Sequence, residues 1–129
     1  MAYDRNNIFA KILRGEVPCK KVYEDDFALA FHDIRPLTPV HVLVIPKGEY
    51  ISFVDFAATA PPELIAGFYR AIGKTAEQLG LDESGYRLVA NSGADAHQIV
   101  FHFHVHIFAG RKLSHSMGNM PKPDLAKES

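Results

Sequence analysis

Apolar residues alternate with histidines in Val100-Phe101-His102-Phe103-His104-Val105-His106-Ile107-Phe108. A period of two is that of a β-strand, so the pattern predicts a strand over Phe101–Ala109. That strand would carry three imidazoles on one face and Phe101, Phe103, Val105 and Ile107 on the other, toward a core. A helix does not bring residues two apart onto one side. The longest helical period runs from Pro62 to Leu79. Leu64, Ile65, Phe68, Ile72 and Leu79 form its apolar stripe, and Gly80 ends it. Near the start, Asn6 or Asn7 can cap a short helix through Arg14, closed by Gly15. Lys20–Glu24 and Phe27–Phe31 read as strands around an acidic turn at Asp25-Asp26. Arg35-Pro36-Leu37-Thr38-Pro39 is a loop fixed by two prolines, and His41–Ile45 a short apolar strand after it. Tyr86–Asn91 is a further strand. No strand–helix–strand unit repeats. The pattern predicts an α+β fold: an antiparallel sheet of about five strands with one long and one short helix. Residues 1–112 form one domain, and the polar, proline-bearing residues 113–129 form a C-terminal tail.

Composition narrows the setting. At 129 residues the chain is long enough for one real core, and its formal net charge of −1 offers no electrostatic case for nucleic acid or an anionic membrane. The single cysteine, Cys19, cannot form an intrachain disulfide, which fits a reducing compartment. It reads as a small apolar residue. No stretch approaches the ~18 apolar residues of a membrane span, and no basic-then-apolar leader opens the chain. The cytoplasm is the expected location.

Three readings of the histidine row compete. A metal site is strained by geometry, because neighbouring histidines stand about 6.6 Å apart at Cα and the outer pair about 13 Å, against zinc–nitrogen bonds of about 2.0–2.1 Å. A structural row on a half-exposed sheet is the bland reading, yet exposed alternation usually mixes polar residue types. The third reading is catalysis. A neutral imidazole attacks, while its neighbours donate hydrogen bonds or a proton.

Beyond the row itself, the chain resembles the histidine triad (HIT) superfamily, whose motif is matched by His102-Phe103-His104-Val105-His106-Ile107-Phe108. Further blocks follow the family's order: Asn7-Ile8-Phe9-Ala10-Lys11-Ile12, Phe31-His32-Asp33-Ile34, Pro39 through Lys47, and Tyr86 through Gly93. They cover roughly residues 6–112 and are similar to the histidine triad nucleotide-binding (Hint) branch of nucleoside phosphoramidate hydrolases. The resemblance implies that His104 is the nucleophile, flanked by His102 and His106, with His41 completing a tetrad. It places Asn91 and Gln98 beside a phosphate and Asp33 on the ribose hydroxyls. Ile8, Phe9, Ile34 and Leu43 would wall the base and sugar. It also implies a homodimer whose two sheets join into one, with the long helix near the interface.

The loop before the triad departs from the family pattern. It reads Ala96-His97-Gln98-Ile99, with His97 in place of a glycine and Ile99 in place of a polar residue near the phosphate or leaving group. A buried Ile99 would narrow the leaving group's path. Ala109 stands where a second glycine is common beside Gly110. His32, His97 and His115 read as structural or solvated.

The resemblance and the chemistry of the row together imply cleavage of purine nucleoside 5′-phosphoramidates, or related nucleotidyl bonds, through a nucleotidyl-histidine. Neither a metal nor another cofactor is required. The alternatives are a dinucleoside polyphosphate hydrolase, a nucleotide-binding module with vestigial activity, and a metal-dependent hydrolase. A nucleophile that must be neutral and an acid that must be protonated, both starting at about 6.5 and titrating as a coupled set, would give a bell-shaped pH profile.

Overall fold

A computed structural model describes residues 1–115; the tail expected over 113–129 lies outside the described residues from 116 onward. The elements run α1 (Ile8–Leu13), β1 (Lys21–Glu24), β2 (Ala28–His32), β3 (Val40–Pro46), α2 (Phe53–Thr59), α3 (Pro62–Gln78), β4 (Arg87–Val89) and β5 (Val105–Ala109), with a 3₁₀ turn at Ala94–Ala96 before β5. The five strands form one antiparallel sheet in the order β1-β2-β3-β5-β4. This is the predicted α+β architecture.

Strand alternation divides the core in two. Ala28, Ala30, Val42, Val44, Val105 and Ile107 face Phe68, Ile72 and Ala76 of α3. Their neighbours Leu29, Phe31, Leu43 and Ile45 point the other way and pack with Phe9, Ile12 and Leu13 of α1. The centre of β3 is therefore buried on both faces, which is why it reads as an unbroken apolar run. Close approach fits the small residues. A Cβ on Gly67 would meet the Phe27 ring at 2.3 Å, so the glycine lets that ring lie on the helix. Gly110 combines φ +96° with a Cβ position 2.7 Å from Pro39, so a side chain is excluded twice over. Ala109, where the family often has glycine, is buried and pairs with Val40.

Besides the shortening of the strand expected over Tyr86–Asn91 to Arg87–Val89, two features depart from expectation. The strand expected over Phe101–Ala109 enters the ladder only at Val105: the chain bends at Phe101 and His102, and Phe101 through His104 pair with no neighbouring strand. In addition, α2 is a helix the apolar pattern did not announce. Its signal was Ser52-Phe53-Val54-Asp55: Ser52 is the N-cap, and the Asp55 carboxylate accepts the Ile51 N–H at 2.8 Å. Among the described residues no helix is long and apolar enough to cross a membrane.

Candidate active site

The register of β3 and β5 assembles the histidines. His41 lies opposite Phe108, and Leu43 opposite His106. All four side chains share the face that carries α1, and the diagonal pair His41 and His106 comes within reach. His41 Nε2 lies 2.9 Å from His106 Nδ1. The Phe108 ring stacks on His106 at an interplanar angle of 6° and sits 4.4 Å from the His41 ring, measured between centroids. His104 meets His106 edge-on at 5.1 Å and Phe9 of α1 edge-on at 5.0 Å.

Backbone partners assign the ring protons. His104 Nδ1 is 2.7 Å from the His102 carbonyl oxygen. A carbonyl can only accept, so Nδ1 carries the proton and Nε2 keeps its lone pair. The Leu37 N–H donates to His41 Nδ1 at 3.1 Å, which places the His41 proton on Nε2, directed to His106 Nδ1. His106 is then protonated on Nε2. His102 differs, because both of its nitrogens are engaged. Nε2 donates to the Pro46 carbonyl at 3.0 Å, and Nδ1 accepts from the Tyr3 hydroxyl at 2.6 Å. Its ring is 0% exposed. The resemblance sets His102 beside the nucleophile; here its ring is sealed between Tyr3 and Pro46, and it meets His104 through its backbone carbonyl.

Burial sets the charge of the row. Desolvation lowers the pKa of His41, His104, His102 and His106; Asp33 partly opposes this at His41 and His104, and the His102 carbonyl does so at His104. His102 falls to about 4 and His106 to about 3, the latter also pushed by His104 and His41. Burial thus moves the row below the 6.5 from which free imidazoles start. In the free protein these imidazoles are neutral at pH 7.

Beside His41 opens a cleft of about 720 Å³ lined by residues that include Pro18, Cys19, His32, Asp33, Ile34 and Pro39. Asp33 Oδ1 accepts the Arg35 N–H at 2.7 Å, while Oδ2 lies 3.6 Å from His41 Nε2. Ile34 is 93% exposed and Ile8 is partly exposed, whereas Phe9 and Leu43 are buried in the cluster beneath α1. The apolar residues assigned to a base and sugar thus split into two exposed side chains and two buried ones. His32, set aside as structural, is exposed and lines this cleft, as does Cys19. Neither could be assigned there from spacing alone.

The loop before the triad is rearranged relative to expectation. Asn91 is half-buried just beyond β4. Gln98 turns inward, its amide donating to the Ile51 and Val100 carbonyls and its oxygen accepting the Gly93 N–H. That side chain fastens the loop, so it does not present a free amide to a phosphate. Ile99 is 79% exposed and not the buried residue expected to narrow a path. The cause lies in His97, which adopts the left-handed conformation at φ 60°. Glycine would occupy that geometry without strain, and histidine is among the residues that tolerate it. The turn sends Gln98 in and Ile99 out.

Ligand atoms of Asp33, His41 and His106 lie within 4.8 Å of one another, the span of a small metal site. The proton arrangement does not suit one. A metal at His41 Nε2 would need the proton on Nδ1, where the Leu37 N–H already points.

A five-stranded sheet with His41 and His106 on one face, and His104 on the segment leading into β5, defines the class: an imidazole-based site beside an open cleft. The HIT domain family matches residues 14–113, and this chain belongs to that family. It is 58% identical to an uncharacterized HIT-like protein of Azospirillum brasilense, over 86% of this chain and 91% of the other. Among solved structures, a HIT family hydrolase of Legionella pneumophila is 41% identical with a TM-score of 0.79, covering 85% of this chain and 97% of that one. A histidine triad nucleotide-binding protein of Candida albicans is 33% identical with a TM-score of 0.71, covering 79% and 73% respectively.

Proposed function

We propose that the protein is a nucleotidyl hydrolase of the nucleotide-binding branch, cleaving purine nucleoside 5′-phosphoramidates or related nucleotidyl bonds. The observation that carries this reading is the His104 tautomer: Nδ1–H is held by the His102 carbonyl, which leaves Nε2 as a neutral nucleophile. The nucleotide-binding and hydrolase relatives support it. His104 Nε2 attacks the α-phosphorus and forms a nucleotidyl-histidine as the P–N bond to the amine breaks. His106, backed by His41, supplies the leaving-group proton. An anionic phosphate beside it opposes the desolvation that keeps it neutral in the free protein, so substrate binding favours the imidazolium. Water then attacks phosphorus and releases the nucleoside monophosphate from His104. Asp33 Oδ2 accepts from the ribose hydroxyls, and Ile34 and Ile8 cover the base against Phe9 and Leu43. Asn91 and the loop backbone at Gln98 and Ile99 lie near the phosphate.

A homodimer fits the same reading. The sheet ends at the three-residue strand β4, whose Leu88 is 47% exposed. Leu88 pairs with Ile107, so it shares the α3 side of the sheet, where Tyr69 is also exposed. An apolar edge of this kind is usually paired or covered.

One observation favours a slower relative of this enzyme, or a binding module. Gln98 is engaged and Ile99 is apolar, so the loop offers the phosphate fewer side-chain donors. A panel of adenosine and guanosine phosphoramidates, dinucleoside polyphosphates and nucleotide sugars, assayed for nucleoside monophosphate release, separates the readings. The proposal expects phosphoramidates to be the best substrates. Preference for dinucleoside polyphosphates, or tight nucleotide binding with no release, would replace it with the alternative.

A further inference from the structure

His104 owes its proton position to a carbonyl that the sheet does not hold. The His102 carbonyl accepts from His104 Nδ1, yet residues 101–104 precede the first ladder pair at Val105. This stretch is anchored by other means. The Phe103 N–H donates to the Tyr50 carbonyl at 2.7 Å, and the His102 ring donates to the Pro46 carbonyl at 3.0 Å. At its other nitrogen the ring accepts from Tyr3, 99 positions earlier in the chain, at 2.6 Å. The Tyr3 ring also meets the His102 ring edge-on at 5.7 Å.

Tyr3 belongs to an N-terminal strap docked by contacts of its own. Arg5 pairs with Glu49 at 2.9 Å, Arg14 donates to the Arg5 carbonyl, and Asp4 joins Asn6 and Asn7 at the head of α1. That helix carries Phe9, whose ring lies against both His102 and His104. The strap thus reaches the row twice, through Phe9 from the side and through the Tyr3 hydroxyl from behind.

We infer that Tyr3 is a positioning residue for His104, its hydroxyl fixing the His102 ring and thereby the carbonyl that holds the nucleophile in its Nδ1–H form. The hydroxyl is suited to this. A phenol donates to the lone pair of Nδ1 while Pro46 takes the proton of Nε2, so one tautomer of His102 satisfies both neighbours. Burial raises the Tyr3 pKa and keeps the donor proton in place. The inference rests on His104 as the nucleophile for its kinetic consequence, but not for its spectroscopic one.

The test is Tyr3→Phe in the full chain, with Arg5→Ala as a control that loosens the strap while keeping the hydroxyl. Ring nitrogens of ¹⁵N-histidine-labelled protein report protonated and lone-pair sites separately. Wild type is expected to show His102 as Nε2–H and His104 as Nδ1–H. In Tyr3→Phe the His102 Nδ1 signal should move to that of an unbonded lone pair, and the His104 Nδ1–H should exchange faster or mix with its other tautomer. Loss of one ordinary hydrogen bond then predicts kcat lower by about 3- to 10-fold, with KM within about 2-fold. Arg5→Ala should leave the His104 signals in place. Unchanged His104 signals in Tyr3→Phe, an unchanged kcat there, or an equal disturbance in Arg5→Ala would overturn the inference. If wild type turns over no nucleotidyl substrate, the proposed function fails, and the nitrogen spectra alone still decide whether Tyr3 sets the His104 tautomer.

Discussion

His102 and His106 stand symmetrically about His104 in sequence, two residues to either side, and the fold treats them in opposite ways. His106 lies in the β5 ladder, opposite Leu43, with its ring among His104, His41 and Phe108. His102 precedes the ladder, and its ring is closed in by Tyr3, Pro46 and Phe9. One imidazole keeps a nitrogen for chemistry and the other has none to offer. Equal spacing therefore does not mean equal work. What each ring nitrogen already touches decides the role.

The sharpest way to probe the comparison starts at its centre. His104→Ala is expected to lose at least about 10²–10⁴-fold in kcat, as befits a key catalytic group, while still binding nucleoside monophosphate by calorimetry. Turnover within about tenfold of wild type would remove His104 from the nucleophile's role.

The flanking pair should then separate by type of damage. His106→Ala is expected to cost about 10²-fold in kcat for substrates with poor leaving groups, with little change in melting temperature. His102→Ala removes a fully buried ring and leaves the Pro46 carbonyl and Tyr3 hydroxyl without it, so it should destabilise the fold by about 2–4 kcal/mol in denaturant titrations. Its activity, measured well below its melting temperature, should fall less than that of His106→Ala. The reverse ranking would give the chemical role to His102 and the structural one to His106.

Acid should expose the same contrast. Burial holds the folded-state pKa of both flanking rings below the unfolded value of 6.5, so between the two values the unfolded chain binds protons that the folded chain does not. Their contribution to stability is full above pH 6.5 and declines as pH falls toward about 4 for His102 and about 3 for His106. For His102 alone the loss is on the order of 3 kcal/mol. Urea unfolding at pH 7 and 4.5 should show the decline, with a shallower slope in His102→Asn. Stability independent of pH across this window would contradict the sealed environment. For activity, protonation of His104 should place the acid limb of kcat/KM below 6.5, since burial lowers its pKa too.

The smallest effect is expected at Ile99. An exposed side chain neither walls a path nor fills a core, so Ile99→Ser should change kcat/KM by no more than about 3-fold, less than one full hydrogen bond is worth. A larger gain, growing with the bulk of the leaving amine, would show that the isoleucine meets the substrate.

Periodicity made much of this molecule legible. The stripe of α3, the Asn7 cap of α1 and the alternation that puts His106 on one face of β5 follow from local spacing, whereas His41 was joined to the triad by the family resemblance. The rest depends on partners that spacing cannot see. Tyr3 is far from His102 in the chain, so nothing in the triad motif reveals that this ring is sealed. Gln98 looks like a phosphate ligand until the left-handed turn at His97 rotates it inward. The ladder stops at Val105, and before it the Phe103 N–H bonds to Tyr50 and the His102 ring to Pro46 instead of a strand, while α2 was masked by a weak stripe behind a readable cap.

Which nitrogen takes the nucleotide decides the roles within the row. Wild-type protein mixed with a labelled adenosine phosphoramidate, quenched within milliseconds in base and mapped by mass spectrometry, should carry one nucleoside monophosphate on His104. The adduct should be absent from His104→Ala and appear on wild type before product accumulates. An adduct on His106 or His41, or rapid turnover with none on any histidine, would contradict the assignment.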